Sequence, residues 1–118
     1  MTLNEYQEIS KQTAVYPKDV AIEYLVLGIV SEAGEVAGKL KKYYRGDFKK
    51  DLENHDSNKT EWLLLKWQLI LEAGDILWYL SQLCTELGID FEKLAIENID
   101  KLHRRLDNDT IKGNGDNR

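Results

Sequence analysis

The chain has 118 residues, of which 42% are hydrophobic, and its formal net charge is −5. A single domain of this length buries only about two-thirds of its unfolded surface, so the apolar content predicts contact with another subunit. The negative charge argues against binding to nucleic-acid polymers or anionic membranes, because both attract positive surfaces. The sequence has no secretory signal and no apolar run of about 20 residues, so we expect a soluble, cytoplasmic protein.

The first two predicted helices lie on either side of the single proline. Residues 3–15 are predicted to form a short helix that ends before Pro17, because the residue before a proline is driven out of the helical conformation. The second helix is predicted from Val20 to about Tyr44, with Asp19 as its cap and apolar residues at helical spacing. Gly46 ends this helix.

Two further helices follow a polar connection over residues 48–59. The third is predicted to begin with Thr60 as its cap and to end before Gly88, a residue favoured where the chain turns left-handed after a helix. Asp90 is predicted to cap the fourth helix, which runs to about Leu106. No stretch alternates as a strand does, so the predicted class is all-α, with an antiparallel bundle of about four helices.

The third helix carries a second apolar face that a single layer of helices cannot cover. Two explanations remain open: the first helix covers this face within the chain, or another subunit packs there, with Gly74 allowing a close approach. We predict a helical domain over 1–109, completed by oligomerisation, and a polar tail over 110–118. The face contains Leu63, Trp67, Leu71, Gly74 and Trp78.

Two pairs of acidic residues, each three positions apart, occur in the second and third helices. Glu32 and Glu35 share one side of the second helix, and Glu72 and Asp75 share one side of the third. A single pair of this kind is usually a solvated face, but the second pair interrupts a helix that is apolar nearly all round. Four converging carboxylates repel one another unless cations lie between them, and oxygen ligands suit Mg²⁺, with Mn²⁺ also compatible.

Candidate substrate-binding residues lie beside these acids and on the fourth helix. Lys39 continues the stripe of Glu32, and Tyr79 continues that of Glu72, where it either stacks on a base or belongs to the core. Asn98, Lys101 and Arg105 fall within about 60° of one another on the fourth helix, whereas Arg104 is predicted to point away. The negative charge of four carboxylates and a triphosphate exceeds the positive charge of two divalent ions, so further cations are needed nearby. A cationic stripe of this kind could supply them and so suits a polyphosphate. Such a stripe is also common on an ordinary helix surface. These substrate-binding candidates are Lys39, Asn98, Lys101, Arg105 and Tyr79.

The chain resembles the short, single-domain MazG-like nucleoside triphosphate pyrophosphohydrolases of the all-α NTP pyrophosphatase superfamily. The resemblance is carried by GIVSEAGEVAGKLKKYYRG, LEAGDILWYLSQLCTELGI, ENIDKLHRR and TIKGNGDNR. The metal motif of that family, Glu-x-x-Glu followed by Glu-x-x-Asp, corresponds to Glu32, Glu35, Glu72 and Asp75. Longer MazG domains have a second acid before the first motif, where this chain has Ser31.

The resemblance implies hydrolysis of a nucleoside triphosphate between its α and β phosphates, which gives the monophosphate and pyrophosphate. It also implies Mg²⁺, a homodimer or homotetramer, and removal of abnormal or excess nucleotides. On this basis Glu35, Glu72 and Asp75 are expected to hold two Mg²⁺ ions that activate the phosphate for direct attack by water. Glu32 completes the metal shell or acts as general base, and the sequence does not choose between these roles.

Other interpretations of the same residues stay open. The fold is compatible with a dedicated substrate, such as dUTP, dCTP or phosphoribosyl-ATP. In a second interpretation the chain is a non-catalytic helical oligomerisation module, and its acids only keep the bundle in solution. The small polar residues of the tail favour disorder, whereas the resemblance suggests that Lys112 and the nearby glycines approach a phosphate at a neighbouring site.

Overall fold

The structure is a computed structural model that describes residues 1–51 and 57–116. Within these ranges the chain forms α-helices and short 3₁₀ turns and no strand, which confirms the predicted all-α class. The 3₁₀ turns are Lys11–Thr13, Lys18–Val20 and Asp47–Asp51. The α-helices are α1 (Leu3–Ser10), α2 (Ala21–Arg45), α3 (Ser57–Glu86) and α4 (Phe91–Asp107).

The helix ends that were predicted from glycine agree with the structure, whereas the predicted first helix and the predicted cap of α2 differ from it. Gly46 follows α2 with φ +83°, and Gly88 follows α3 with φ +67°, so both occupy the left-handed region as expected. The first helix is shorter than predicted because a 3₁₀ turn replaces it after Ser10. Asp19 does not cap α2, because it lies inside a 3₁₀ turn and Val20 takes the cap position.

The third helix begins earlier than predicted, whereas the fourth begins where it was predicted to begin. The third begins at residue 57, so Thr60 lies inside the helix rather than at its cap. The predicted connection over 48–59 is therefore shorter, and residues 52–56 lie outside the described ranges. Asp90 does take the cap position of α4. It caps through its backbone carbonyl, which accepts from Lys93 and Leu94, and not through its side chain.

The long helices α2 and α3 form an antiparallel hairpin that supplies most of the packing. Tyr79 lies against Gly28 near one end of the hairpin, and the rings of Trp62 and Tyr43 are 6.5 Å apart near the other. The interior is small, with Leu25 and Leu65 fully buried. Cys84 is also buried and unpaired, as expected for a small core residue.

Helix α1 joins the hairpin to the start of α4 through buried polar contacts. The Gln7 side chain donates to Thr85 and to the carbonyl of Ile89, and accepts from the backbone N–H of Phe91. Ser10 contacts Ser81 and accepts a hydrogen bond from Gln82 in the same interface. These bonds fix the first turn of α4. Its remaining turns share no hydrogen bond, ion pair or ring contact with α1, α2 or α3 in the part of the chain that is described.

The second apolar face of α3 is covered only at one end. Trp78 donates its indole N–H to the hydroxyl of Thr13 at 2.7 Å, so the segment after α1 covers this residue. Leu63, Trp67 and Leu71 stay exposed to 54%, 59% and 49%. The first helix therefore does not cover the whole face. No described helix is long and apolar enough to cross a membrane.

The chain is more extended than a compact monomer of its size. Its radius of gyration is 18.3 Å, against about 13.5 Å expected for 118 residues in a compact fold. Its accessible surface is 8664 Å², whereas a folded monomer of 13.7 kDa exposes about 6600 Å². The surface is therefore larger by about 2000 Å². Exposed apolar side chains along the helices include Leu27, Val30, Trp67, Ile96 and Leu106.

Candidate metal centre and phosphate-binding residues

The hairpin brings three of the four predicted acids together, and we call Glu32, Glu72 and Asp75 the acidic cluster. One carboxylate oxygen from each lies within 4.8 Å of the other two. Glu32 and Glu72 are partly buried between the helices, and Asp75 is exposed. The antiparallel pairing of α2 with α3 makes this possible, because residues at i and i+3 on each helix face the same side.

Glu35 lies outside this group, on the exposed side of α2. Its carboxylate still acts on the cluster, because its negative charge is one of the causes that raise the pKa of Glu32. The sequence placed Glu35 on the same stripe as Glu32, and the rotation of α2 against α3 decides which of the two faces the opposite helix.

The acidic cluster concentrates negative charge at the edge of the hairpin. Burial raises the pKa of the Glu32 carboxyl above its usual value of 4.5, and the charges of Asp75, Glu72 and Glu35 raise it further. Two ionised carboxylates 4.8 Å apart repel by up to about 3.5 kcal/mol at an effective dielectric constant of about 20, before solvent screening. Lys39 offsets part of this charge, because its ammonium lies 3.3 Å from Glu72. The remaining charge and the all-oxygen donor set fit a hard divalent cation.

Tyr79 lies at the rim of the acidic cluster and is packed directly on the backbone of Gly28. A Cβ atom at position 28 would lie 2.0 Å from a ring carbon of Tyr79, so only glycine allows this approach. The pKa of Tyr79 is raised by burial, then by Tyr24, and then by the charges of Glu32 and Asp75. The tyrosine ring therefore occupies the space that a side chain at position 28 would need.

The sequence did not single out Tyr6, which also lies near the cluster. Burial and the negative charge of Asp75 raise its pKa, and its ring lies 6.4 Å from that of Phe91. No motif marked this residue, because its position depends on how α1 packs onto α3 and not on the pattern within α1.

The residues of the predicted cationic stripe of α4 have different surroundings, because the tail covers Arg105 and leaves Asn98 and Lys101 accessible. Asn98 and Lys101 line an open depression of about 700 Å³ on α4, and Lys101 forms no ion pair with any described residue. Arg104 lines the same depression, so the expectation that it points away was wrong. Arg105 is separate and buried, and its guanidinium contacts Gly115 and Asp116 of the tail.

The family model of the MazG nucleotide pyrophosphohydrolase domain matches residues 21–109, a range that contains the acidic cluster and all of α4. The chain belongs to the MazG family. It is also 34% identical over 124 aligned positions to the Gene 37 protein of Mycobacterium phage L5, and the match covers all of both chains. No solved structure matches the chain.

Membership in this family agrees with the chemistry of the cluster. MazG enzymes generally depend on a divalent metal, and the structure brings together three hard oxygen donors of the kind that such an ion requires. The predicted family is thus confirmed, and the family indicates nucleotide pyrophosphohydrolase activity.

Proposed function

We propose that the chain is a Mg²⁺-dependent nucleoside triphosphate pyrophosphohydrolase that cleaves between the α and β phosphates, giving the monophosphate and pyrophosphate. The observation that carries this proposal is the convergence of Glu32, Glu72 and Asp75 within 4.8 Å in a MazG domain. The removal of abnormal or excess nucleotides is a role that fits this reaction.

The acidic cluster would hold Mg²⁺, with Glu35 as a further ligand from the exposed side. Bound Mg²⁺ supplies Lewis-acid stabilisation of the phosphate charge, and Mn²⁺ suits the same oxygen donors. Glu32 is partly buried beside Glu72 and Asp75, so it either completes the metal shell or accepts a proton from the attacking water. Tyr79 presents its ring and hydroxyl at the rim, where a nucleoside can be oriented.

Cations must balance the charge of the triphosphate at this site. Lys39 is already paired with Glu72. Its positive charge therefore offsets the negative charge of the acidic cluster, and less of it remains to balance the phosphates of a substrate. Lys101 and Asn98 are suited to bind phosphate oxygens, since Lys101 has no ion-pair partner among the described residues. Beyond its first turn, α4 shares no hydrogen bond or ion pair with the described parts of the first three helices, so we propose that these two side chains serve the acidic cluster of a second copy.

We propose that the protein is a homodimer, or a tetramer formed by two such dimers. The surface in excess of a compact monomer, about 2000 Å², is more than the about 800 Å² per partner of a standard interface. It is in the range of obligate homodimers, whose interfaces are also more apolar. The exposed face of α3 around Trp67 and the apolar side of α4 are the surfaces that such a partner would bury.

The deciding experiment measures pyrophosphate and monophosphate release from a panel of standard and modified nucleoside triphosphates, with dUTP, dCTP and phosphoribosyl-ATP included. Metal-dependent release is expected for the parent and for Glu23→Gln, which makes the same charge change at an exposed position of α2. Release should be abolished in Glu72→Gln. A single active substrate would identify a dedicated enzyme. Absence of release from every compound by folded parent protein would contradict the proposal and favour the oligomerisation module.

A further inference from the structure

Arg105 is buried at the end of α4 because the tail folds back over it. The chain turns at Asp109, whose φ of +54° is left-handed. The backbone N–H and the hydroxyl of Thr110 then both bond to the carbonyl of Arg105, at 2.7 and 3.3 Å. The guanidinium donates through Nη2 to the carbonyl of Gly115 at 3.3 Å and to Asp116 at 3.4 Å. The Arg105 residue is left only 7% exposed.

The tail satisfies only part of the guanidinium of Arg105. Its Nε–H is buried and has no hydrogen-bond partner among the residues that the structure describes. Both contacts of Nη2 are longer than the 2.7–3.2 Å of ordinary N–H···O bonds. The Asp116 side chain is 92% exposed, so solvent screens its charge and its pairing with Arg105 is weak. An oxyanion that placed one oxygen on Nε and another on Nη2 would form the stronger bidentate arrangement that a guanidinium favours with a carboxylate or a phosphate.

We propose that Arg105 is an oxyanion site that the tail of the chain occupies in the free protein. In this arrangement the Gly115 carbonyl and the Asp116 carboxylate stand where phosphate oxygens bind, and the β and γ phosphates of a nucleotide displace them. A phosphate chain carries about four negative charges against one on Asp116, and it can satisfy the unpaired Nε–H. The choice of a phosphate chain as the anion rests on the proposed function. The buried, partly unsatisfied guanidinium is a separate observation.

Displacement of the tail is a competition that lowers affinity for the anion. In the free protein Asp116 must leave Arg105 before a phosphate chain can bind. The apparent dissociation constant is therefore the intrinsic constant divided by the fraction of molecules in which the tail leaves Arg105 free. Removing the charge of Asp116 is therefore expected to strengthen binding by about two- to fivefold, which is the size expected for one exposed ion pair. Binding of the anion is also expected to release the segment 110–116.

The test measures binding of inorganic pyrophosphate by calorimetry and hydrogen exchange of the backbone amides of residues 110–116. Both are done without Mg²⁺ and at fixed ionic strength, so that the acidic cluster does not attract the anion. Asp116→Asn is expected to bind pyrophosphate two- to fivefold more tightly than the parent. Asp107→Asn is the matched control, because it removes the same charge from an exposed residue at the end of α4 and should bind like the parent. Pyrophosphate is also expected to accelerate exchange of the Thr110 amide.

Two results would overturn this inference. One is equal pyrophosphate affinity in the parent and in Asp116→Asn, and the other is tail exchange that pyrophosphate leaves unchanged or slows. Arg105→Lys keeps the charge but loses the guanidinium fork, so pyrophosphate should no longer accelerate tail exchange in this variant. A nucleoside monophosphate is expected to have little effect, because it lacks the β and γ phosphates. Since none of these readouts involves turnover, they stand even if the parent hydrolyses no triphosphate.

Discussion

Gly28→Ala tests whether the contact between α2 and the Tyr79 ring is as close as the structure shows. The added methyl carbon would lie 2.0 Å from a ring carbon, whereas ordinary carbon contacts begin near 3.4 Å. The ring must therefore move by about 1.5 Å, or the two helices must separate. Overpacking of this kind costs about 1–3 kcal/mol, and the better helix propensity of alanine returns up to about 1 kcal/mol.

The net effect expected for Gly28→Ala is a loss of about 1–2 kcal/mol in the free energy of unfolding. For a chain of this length this corresponds to a Tm lower by about 4–8 °C. Thermal unfolding followed by circular dichroism at fixed protein concentration measures it. Gly34→Ala is the matched control on the same helix, because no atom lies within 4 Å of the point that its methyl carbon would occupy. This variant should gain up to about 1 kcal/mol from helix propensity.

The same substitution in a second mutant background tests whether the Tyr79 ring causes the loss of stability. In a Tyr79→Leu protein the ring atoms nearest Gly28 are absent, so Gly28→Ala should cost little or should stabilise. An equal loss in both backgrounds would refute the reasoning, because the destabilisation would then come from something other than the ring. Since Tyr79 lies at the rim of the acidic cluster, Gly28→Ala should also raise KM for a nucleotide more than it lowers kcat.

Four further predictions concern the metal, the pH and the assembly. Mg²⁺ at about one hundred times its dissociation constant should stabilise the parent by about 2.7 kcal/mol, and Glu72→Gln should lose this gain in a thermal unfolding assay. Because the folded state raises the pKa of Glu32, the stability that its protonated form contributes should be lost as the pH rises above 4.5. The Tm of the metal-free parent should therefore fall relative to that of Glu32→Gln when both are followed against pH in EDTA. Trp67→Glu should raise the dissociation constant of the dimer by about 30-fold or more, measured by sedimentation, and an unchanged constant would remove Trp67 from the interface. Mixing Glu72→Gln with Lys101→Ala should restore activity if α4 serves the partner's site, because one of the two sites in the mixed dimer is then intact, whereas sites built within one chain would stay inactive.

The sequence by itself was sufficient for the helices and for the side of each helix that carries the acids. Helical periodicity is a local property, so the spacing of Glu32 with Glu35, and of Glu72 with Asp75, determined which residues share a stripe. Gly46 and Gly88 marked helix ends correctly because a left-handed residue strongly favours glycine. Asp19 is not the cap of α2 because a 3₁₀ turn places Val20 at that position, and Thr60 is not a cap because α3 begins at residue 57.

Only the tertiary structure decided which members of each stripe meet. Glu35 remains outside the cluster while Glu32 enters it, because the rotation of α2 against α3 is set by packing such as that of Tyr79 on Gly28. Tyr6 approaches Asp75 through the docking of α1, and Arg105 is engaged by a tail that turns back at Asp109. These contacts join residues that are distant in sequence or separated by a reversal of the chain. The pattern within one helix carries no information about them.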